Sequence, residues 1–249
     1  YTSLSRYTVT DFDYSAFEGE HPEWFIWGEG PNQFIIGSDE EAVYDGENAL
    51  YVSGDGENYH YLIATTENDG QNVISDSYAS CYFDLSQVAG KPLLTFNWKG
   101  DGEGSLTKVK SDNKDGKGLY DYAKLYINGV LKETLVDKLD WQESVYDLTE
   151  YAGQVVEIKI HWHNDGSVGS HMPIAIDNFM LRDIAPFAAA TKQISAPWHI
   201  AAGEEVKYQF ELSNDGYTDD EYTITVTDEF GKAWASEILN DADEAISTL

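Results

Sequence analysis

Residues 174–181, IAIDNFML, carry the side chain with the most chemistry in this sequence: Asp177, followed by Asn178. The run is apolar on both sides of the strand alternation, and a regular strand puts Asp177 on one face with Ala175, Phe179 and Leu181. A carboxylate shielded in that way is costly unless it is paired or takes up a proton. Arg6 and Arg182 are the only arginines, so a bound cation is the natural alternative partner. His161 and His163, two residues apart, and His171 beyond them have donors for Zn²⁺ or Ni²⁺, but no third ligand stands at a reliable spacing. Residues 111–118, SDNKDGKG, half-match a calcium loop through Ser111, Asn113, Asp115 and Gly116. The twelfth position is Tyr122 where a bidentate Glu is required, so the stretch reads as a hairpin tip.

Aromatic side chains are the other source of chemistry. Trp24, Trp27, Trp141 and Trp162 could stack on sugar rings, but a β-sandwich needs large inward side chains, so most of them are expected in the core. Trp27 and Tyr59 sit nearest to polar loops and are the candidate ligand-binding residues. Enzymatic signatures are missing: there is no HExxH helix, no G-x-S-x-G elbow, no phosphate loop and no E-x-D-x-x-E strand. A non-catalytic protein is the expectation.

Strands must position these groups. In residues 155–164, Val156, Ile158, Ile160 and Trp162 face one way and Glu157, Lys159, His161 and His163 the other. Leu94, Phe96 and Trp98 alternate likewise within 93–99. Residues 120–128 and 130–135 flank Asn128-Gly129, a tight-turn signal. Further strands are expected at 49–53, 59–65, 78–85 and 141–148. The stretch 1–36 is too punctuated by Pro and Gly for regular strands and reads as one strand and an ordered loop. Residues 100–118 read as an extended hairpin loop.

This all-β reading divides the chain in two: a first domain over 1–185, a linker over 186–192 beginning at Pro186, and an immunoglobulin-like domain over 193–249. In the last, Val206, Tyr208, Phe210 and Leu212 alternate with polar residues, as do Tyr222, Ile224 and Val226. It is short for seven strands, and so either cut short or a reduced version.

The balance of 45 acidic against 15 basic residues, a formal charge of -30, argues against nucleic acid or an anionic membrane as partner, because both are bound through basic patches. Surface acidity suited to a salty or extracellular setting and acidity that serves divalent-cation sites are both compatible with it. The single cysteine, Cys81, rules out an intrachain disulfide, and its apolar neighbours mark a structural thiol. No apolar stretch has membrane-spanning length. The chain opens on Tyr1 without a signal-peptide pattern, which reads as a processed chain.

The order of these signals resembles the MAM-like jelly-roll domains of bacterial surface proteins, including the cleaved-adhesin domains of gingipains. The resemblance rests on FEG…P.W at 17–24, G..AL.VSG at 46–54, FDLS at 83–86, LTFNWKGDGE at 94–103, YDYAKLYING at 120–129 and the terminal HWHND…IAIDNF. The region beyond is similar to CARDB or fibronectin-like modules. Paired cysteines of the animal domains are absent. The resemblance implies a jelly-roll β-sandwich followed by a short immunoglobulin-like sandwich, secreted or at the cell surface and joined to neighbouring domains. It also implies a structural Ca²⁺ held by Glu18 and Asp177, with Asp39 or a loop carbonyl as a further ligand. The expected function is adhesion or binding to a glycan or a surface protein. A structural spacer is the alternative, and a glycosidase on a jelly-roll frame is the enzymatic one.

Overall fold

The computed structural model describes residues 8–10, 13–21, 23–63, 73–104, 119–167, 172–186, 188–195, 207–216, 218–219, 221–224, 237–240 and 245. The expected hairpin tip at 111–118, His171, Val206 and Val226 lie outside the described residues. In chain order the strands are β1 (Thr8–Val9), β2 (Asp13–Ser15), β3 (Phe25–Glu29), β4 (Gln33–Gly37), β5 (Ala49–Ser53), β6 (Ser75–Asp84), β7 (Lys91–Gly100), β8 (Glu103–Gly104), β9 (Leu119–Ile127), β10 (Val130–Leu135), β11 (Lys138–Asp147), β12 (Val155–Asn164), β13 (Ala175–Ile184), β14 (Ala189–Ser195) and β15 (Gln209–Asn214). Among the described residues there is no α-helix, and no helix is long and apolar enough to cross a membrane.

The chain divides into two compact units, Tyr1–Asp183 and Ile184–Leu249. In the first unit, sheet A runs β1-β6-β12-β9-β10, with β3 also on β6 and β8 on β9. Sheet B runs β11-β7-β13-β5-β4, with β2 on β13. From β5 onward the chain crosses between sheets at each step except through β8, β9 and β10, which all lie in A: β5 is in B, β6 in A, β7 in B, β11 in B, β12 in A and β13 in B. That alternation is a jelly-roll β-sandwich. In the second unit, β14 and β15 form an antiparallel ribbon pairing Ala189 with Asn214 and Thr191 with Leu212. Residues 189–192, expected as linker, therefore belong to a strand.

Strand alternation builds the core. Ala79, Cys81 and Phe83 of β6, Leu94, Phe96 and Trp98 of β7, Leu125 of β9, and Ile158, Ile160 and Trp162 of β12 are all buried in one cluster. Their neighbours in sequence point to the opposite side of each sheet, as period-2 alternation requires, although Ser80 and Asn97 are themselves buried there. Burial also pushes the Cys81 thiol pKa well above its usual value. Native protein is therefore expected to leave an aromatic disulfide reagent unreacted until denaturant is added; rapid labelling without denaturant would contradict this placement.

Strand β13 departs from simple alternation. Ile176 packs in the same core cluster as Phe179 and Leu181, whereas Ala175 belongs to a smaller cluster with Tyr51 and Tyr59. The phase shift occurs at Asn178, whose φ is 50°. An extra residue in a strand, accommodated by left-handed backbone, re-aims the side chains around it. Asp177 therefore does not share the face of Phe179 and Leu181, contrary to the sequence reading, although it is buried at 2% exposure.

Two other local expectations fail. The stretch 25–37 forms two strands in different sheets, β3 paired with β6 and β4 with β5, rather than one strand and a loop. Its punctuating Gly28 is needed in the strand because a Cβ there would collide with the Asp76 carbonyl of β6. Residues 59–63 are not a strand; they follow a loop organised by Asp55, which accepts from the Glu57 and Asn58 N–H groups, both at 2.9 Å.

Candidate functional site

The outer face of sheet A brings together the groups that could bind a ligand. Register places Trp27 of β3 beside Tyr78 of β6, Tyr78 beside His161 of β12, and His161 beside Lys124 of β9. A second row runs Glu29, Asp76, His163 and Tyr122, and a third Phe25, Ser80, Lys159 and Tyr126. Each of these strands turns its apolar phase into the core, so the opposite phase must face out. The aromatic residues in that phase are not needed to fill the sandwich.

Phe25 and Trp27 lie 5.0 Å apart between centroids at 30°. Trp27 and Tyr78 are 5.1 Å apart at 13°, and Tyr78 and His161 4.4 Å apart at 8°. At a strand spacing of about 4.8 Å, such distances and angles describe offset stacks of upright rings, which cover only part of each other's faces. The open end of the row is the most accessible: Phe25 is 53% exposed and Trp27 37%. Phe25 and Trp27 lie outside the core cluster, and their exposed ring faces are available to a ligand.

Polar groups surround the row. Asp76 Oδ1 accepts from His161 Nε2 at 2.7 Å and His163 Nδ1 at 3.0 Å. Burial works to raise the Asp76 pKa, but the two histidine bonds outweigh it and leave it low. Burial lowers the pKa of His161 despite Asp76, so its imidazole is neutral near pH 7 and stacks on Tyr78. Tyr82 donates its hydroxyl to Glu157 at 2.6 Å. Lys124 and Lys159 lie over the Tyr122 and Tyr126 rings, at 4.5 and 5.2 Å. The face thus offers ring surface, hydroxyls, two cations and several carboxylates within one grid.

Of the two sequence candidates, Trp27 is in this grid and Tyr59 is not. Tyr59 is buried, donates its hydroxyl to the Pro173 carbonyl at 2.7 Å and packs against Tyr51 in the smaller core cluster. The sequence expectation does not include Tyr78 or, for sugar binding, His161. The available signal was aromatic and imidazole side chains in the polar phase of neighbouring strands.

No family model and no curated protein matches the chain. Several solved structures resemble it at a distance. The TmCBM61 module in complex with β-1,4-galactotriose gives a TM-score of 0.39 at 12% identity, over 64% of this chain and 88% of that one. The CBM22-1 xylan-binding domain of Xyn10C from Paenibacillus barcinonensis gives 0.34 at 14%, over 71% and 96%. A putative sugar binding protein from Bacteroides thetaiotaomicron gives 0.33 at 14%, over 72% and 95%. These likenesses are too distant to carry a function to this chain. The resemblance to MAM-like and cleaved-adhesin domains is one of motif order, with no family match behind it.

The residues expected to hold Ca²⁺ meet backbone donors. Asp177 accepts from the N–H groups of Tyr44 at 2.7 Å, Asp45 at 3.0 Å and Asn178 at 2.6 Å. Glu18 accepts from Glu47 at 2.8 Å and Asn48 at 3.2 Å, so both carboxylates hold the loop at 44–48. Asp39 binds elsewhere, to the N–H groups of Glu41 and Tyr59 at 2.8 and 2.7 Å. Three amides partner Asp177, yet burial, with the Glu18 carboxylate adding to it, still raises its pKa.

A different acidic group converges instead. Among the described residues, Glu103, Asp121 and Asp165 are the one set of three whose ligand atoms lie within 4.8 Å of one another. Asp121 is fully buried and accepts from the Tyr61 hydroxyl at 2.7 Å and the Asp165 N–H at 2.9 Å. Glu103 Oε2 is enclosed without a hydrogen-bond partner. Nothing local in the sequence joins positions 103, 121 and 165, so only the fold reveals the group.

Burial, with Asp165 and Glu103 adding to it, pushes the Asp121 carboxyl up to about 6 from 3.8. A carboxyl raised on folding stabilises the protonated native state fully below pH 3.8, and that contribution is lost as pH rises through about 6. In metal-free buffer, stability relative to Asp121→Asn is therefore expected to fall across that window. Urea midpoints at a series of pH values would check it, and parallel curves for the two proteins would refute it.

Proposed function

We propose that this chain is a non-catalytic glycan-binding module whose ligand lies on the outer face of sheet A, in an extracellular or cell-surface setting. The observation that carries the reading is the stack of Trp27, Tyr78 and His161, with Phe25 on Trp27, exposed at its Phe25 and Trp27 end. Sugar rings present polarised C–H groups on one face and hydroxyls at their rim, and this surface pairs ring faces with adjacent donors and acceptors. Two of the carboxylates on the face are already engaged, Asp76 by two histidines and Glu157 by Tyr82, which suits binding better than hydrolysis. Affinity electrophoresis against soluble xylan, β-1,4-galactan and mixed-linkage glucan tests the reading. Retardation by at least one polymer is expected, and unchanged mobility on all of them would refute it.

A structural Ca²⁺ belongs to the same proposal. The Glu103, Asp121 and Asp165 group suits a hard cation better than Glu18 and Asp177, because it has an oxygen without a donor and three mutually repelling carboxylates. Ca²⁺ is expected to raise the melting temperature of the chelated protein. Glu103→Gln should remove that rise if the cation binds there, whereas Glu18→Gln should remove it if the ion sits at the 44–48 loop.

A further inference from the structure

Sheet B carries a second place with the same chemistry. Lys99, in the outward phase of β7, holds its Nζ 5.4 Å from the Tyr59 ring centroid and 5.0 Å from that of Trp141. Burial lowers its pKa, opposed by Glu41 and Asp39. Among the described residues it makes no ion pair and no hydrogen bond, in a chain where acids outnumber bases threefold. Around it opens a cavity of about 550 Å³, with Trp141 as its aromatic wall, the largely buried Tyr59 ring bordering it, His60 beside them and the exposed Glu40 and Glu41 in its lining. That volume is in the range of small-ligand sites.

We propose that this cavity is a second saccharide-binding site, taking one neutral sugar residue and acting independently of the sheet A row; it rests on the glycan reading above. The lysine ammonium occupies, over the two rings, the place that the polarised C–H groups of a sugar would take. Its flexible stem lets the charge swing aside and donate to a hydroxyl instead. His60 is a further hydrogen-bonding group, and Glu40 and Glu41 accept from hydroxyls. The same two carboxylates disfavour a uronic acid, and Lys99 disfavours an amino sugar, which leaves a neutral ring. Trp141 and Lys99 belong to sheet B and Trp27 to sheet A, so the two sites lie on opposite faces of the sandwich and both can be filled at once. The module would then be bivalent, gaining avidity on a polymer without any new contact.

The test compares wild type with Trp27→Ala, Trp141→Ala and the double variant on xylan, β-1,4-galactan and mixed-linkage glucan, with circular dichroism to check folding. Glu40→Gln with Glu41→Gln, at exposed positions, provides a pocket variant that leaves the core untouched. Each single tryptophan variant should still bind, with polymer affinity reduced about tenfold by lost bivalency, and the double variant should not bind. Titration with short oligosaccharides should fall from two sites per chain to one in either single variant. Complete loss in Trp27→Ala, or wild-type stoichiometry and affinity in both pocket variants, would overturn the second site and leave the first. Loss in Trp141→Ala with no change in Trp27→Ala would retain the pocket and remove the sheet A site. No binding by wild type would overturn both.

Discussion

Replacing Phe179 by Ala is expected to lower the unfolding free energy by about 3–5 kcal/mol, the range for removing a fully buried aromatic side chain. Phe179 is 0% exposed and lies at the centre of a ring cluster. Trp24 meets it edge-on at 5.1 Å, Phe96 stacks on it at 5.7 Å, and Phe17 and Phe83 lie at 6.2 and 6.3 Å. These rings come from both sheets and from the segment before β3, so the cavity would open where the layers join and collapse would be limited. Phe17 adds to the dependence, since its φ of 86° is held by packing of its own ring. Phe179→Leu, which keeps most of the volume, should lose less than half as much. Urea denaturation followed by tryptophan fluorescence would measure both, and a loss below about 1 kcal/mol for the Ala variant would contradict the packing described.

The second large effect concerns binding. Trp27→Ala should weaken any glycan interaction of the sheet A face by about 10- to 100-fold, equivalent to about 1.5–3 kcal/mol for withdrawing a large ring from a contact surface. Stability should change little, because Trp27 is partly exposed and is not part of the core cluster. Tyr78→Ala should behave similarly at a smaller magnitude, since its ring is more covered by Trp27 and His161. Isothermal titration with the retarding polymer, alongside a melting curve, separates the two effects. A variant that melts normally and binds like wild type would remove Trp27 from the site.

Much of this was readable from residue order because strand alternation is a local signal. The inward set of β12, the Leu94, Phe96 and Trp98 phase of β7 and the Asn128-Gly129 turn, with φ of 48° and 76°, follow from neighbours in sequence. Other features depend on what approaches from elsewhere. Asp177 lies out of solvent as its neighbours suggest, but two of its three amide partners belong to a loop more than 130 residues away in sequence. The extra residue at Asn178 shows in the sequence only as an asparagine. Gly28 looks like a strand breaker until the Asp76 carbonyl above it is seen. Tyr59 looks exposed because its neighbours are polar, yet the fold folds it inward against Tyr51. The acidic triad combines two short-range neighbours across a sheet with a residue after β12, and no spacing rule links them.

The late arrival of β13 has a consequence for synthesis on the ribosome. This strand sits between β7 and β5 in sheet B, yet both of its partners emerge long before it. Until it inserts, each has a bare row of amide and carbonyl groups along an open edge, the kind of template on which nascent chains pair with one another. Sheet B therefore closes only once residues near 184 have left the exit tunnel, and chains cut before that point are expected to aggregate rather than wait as folded halves.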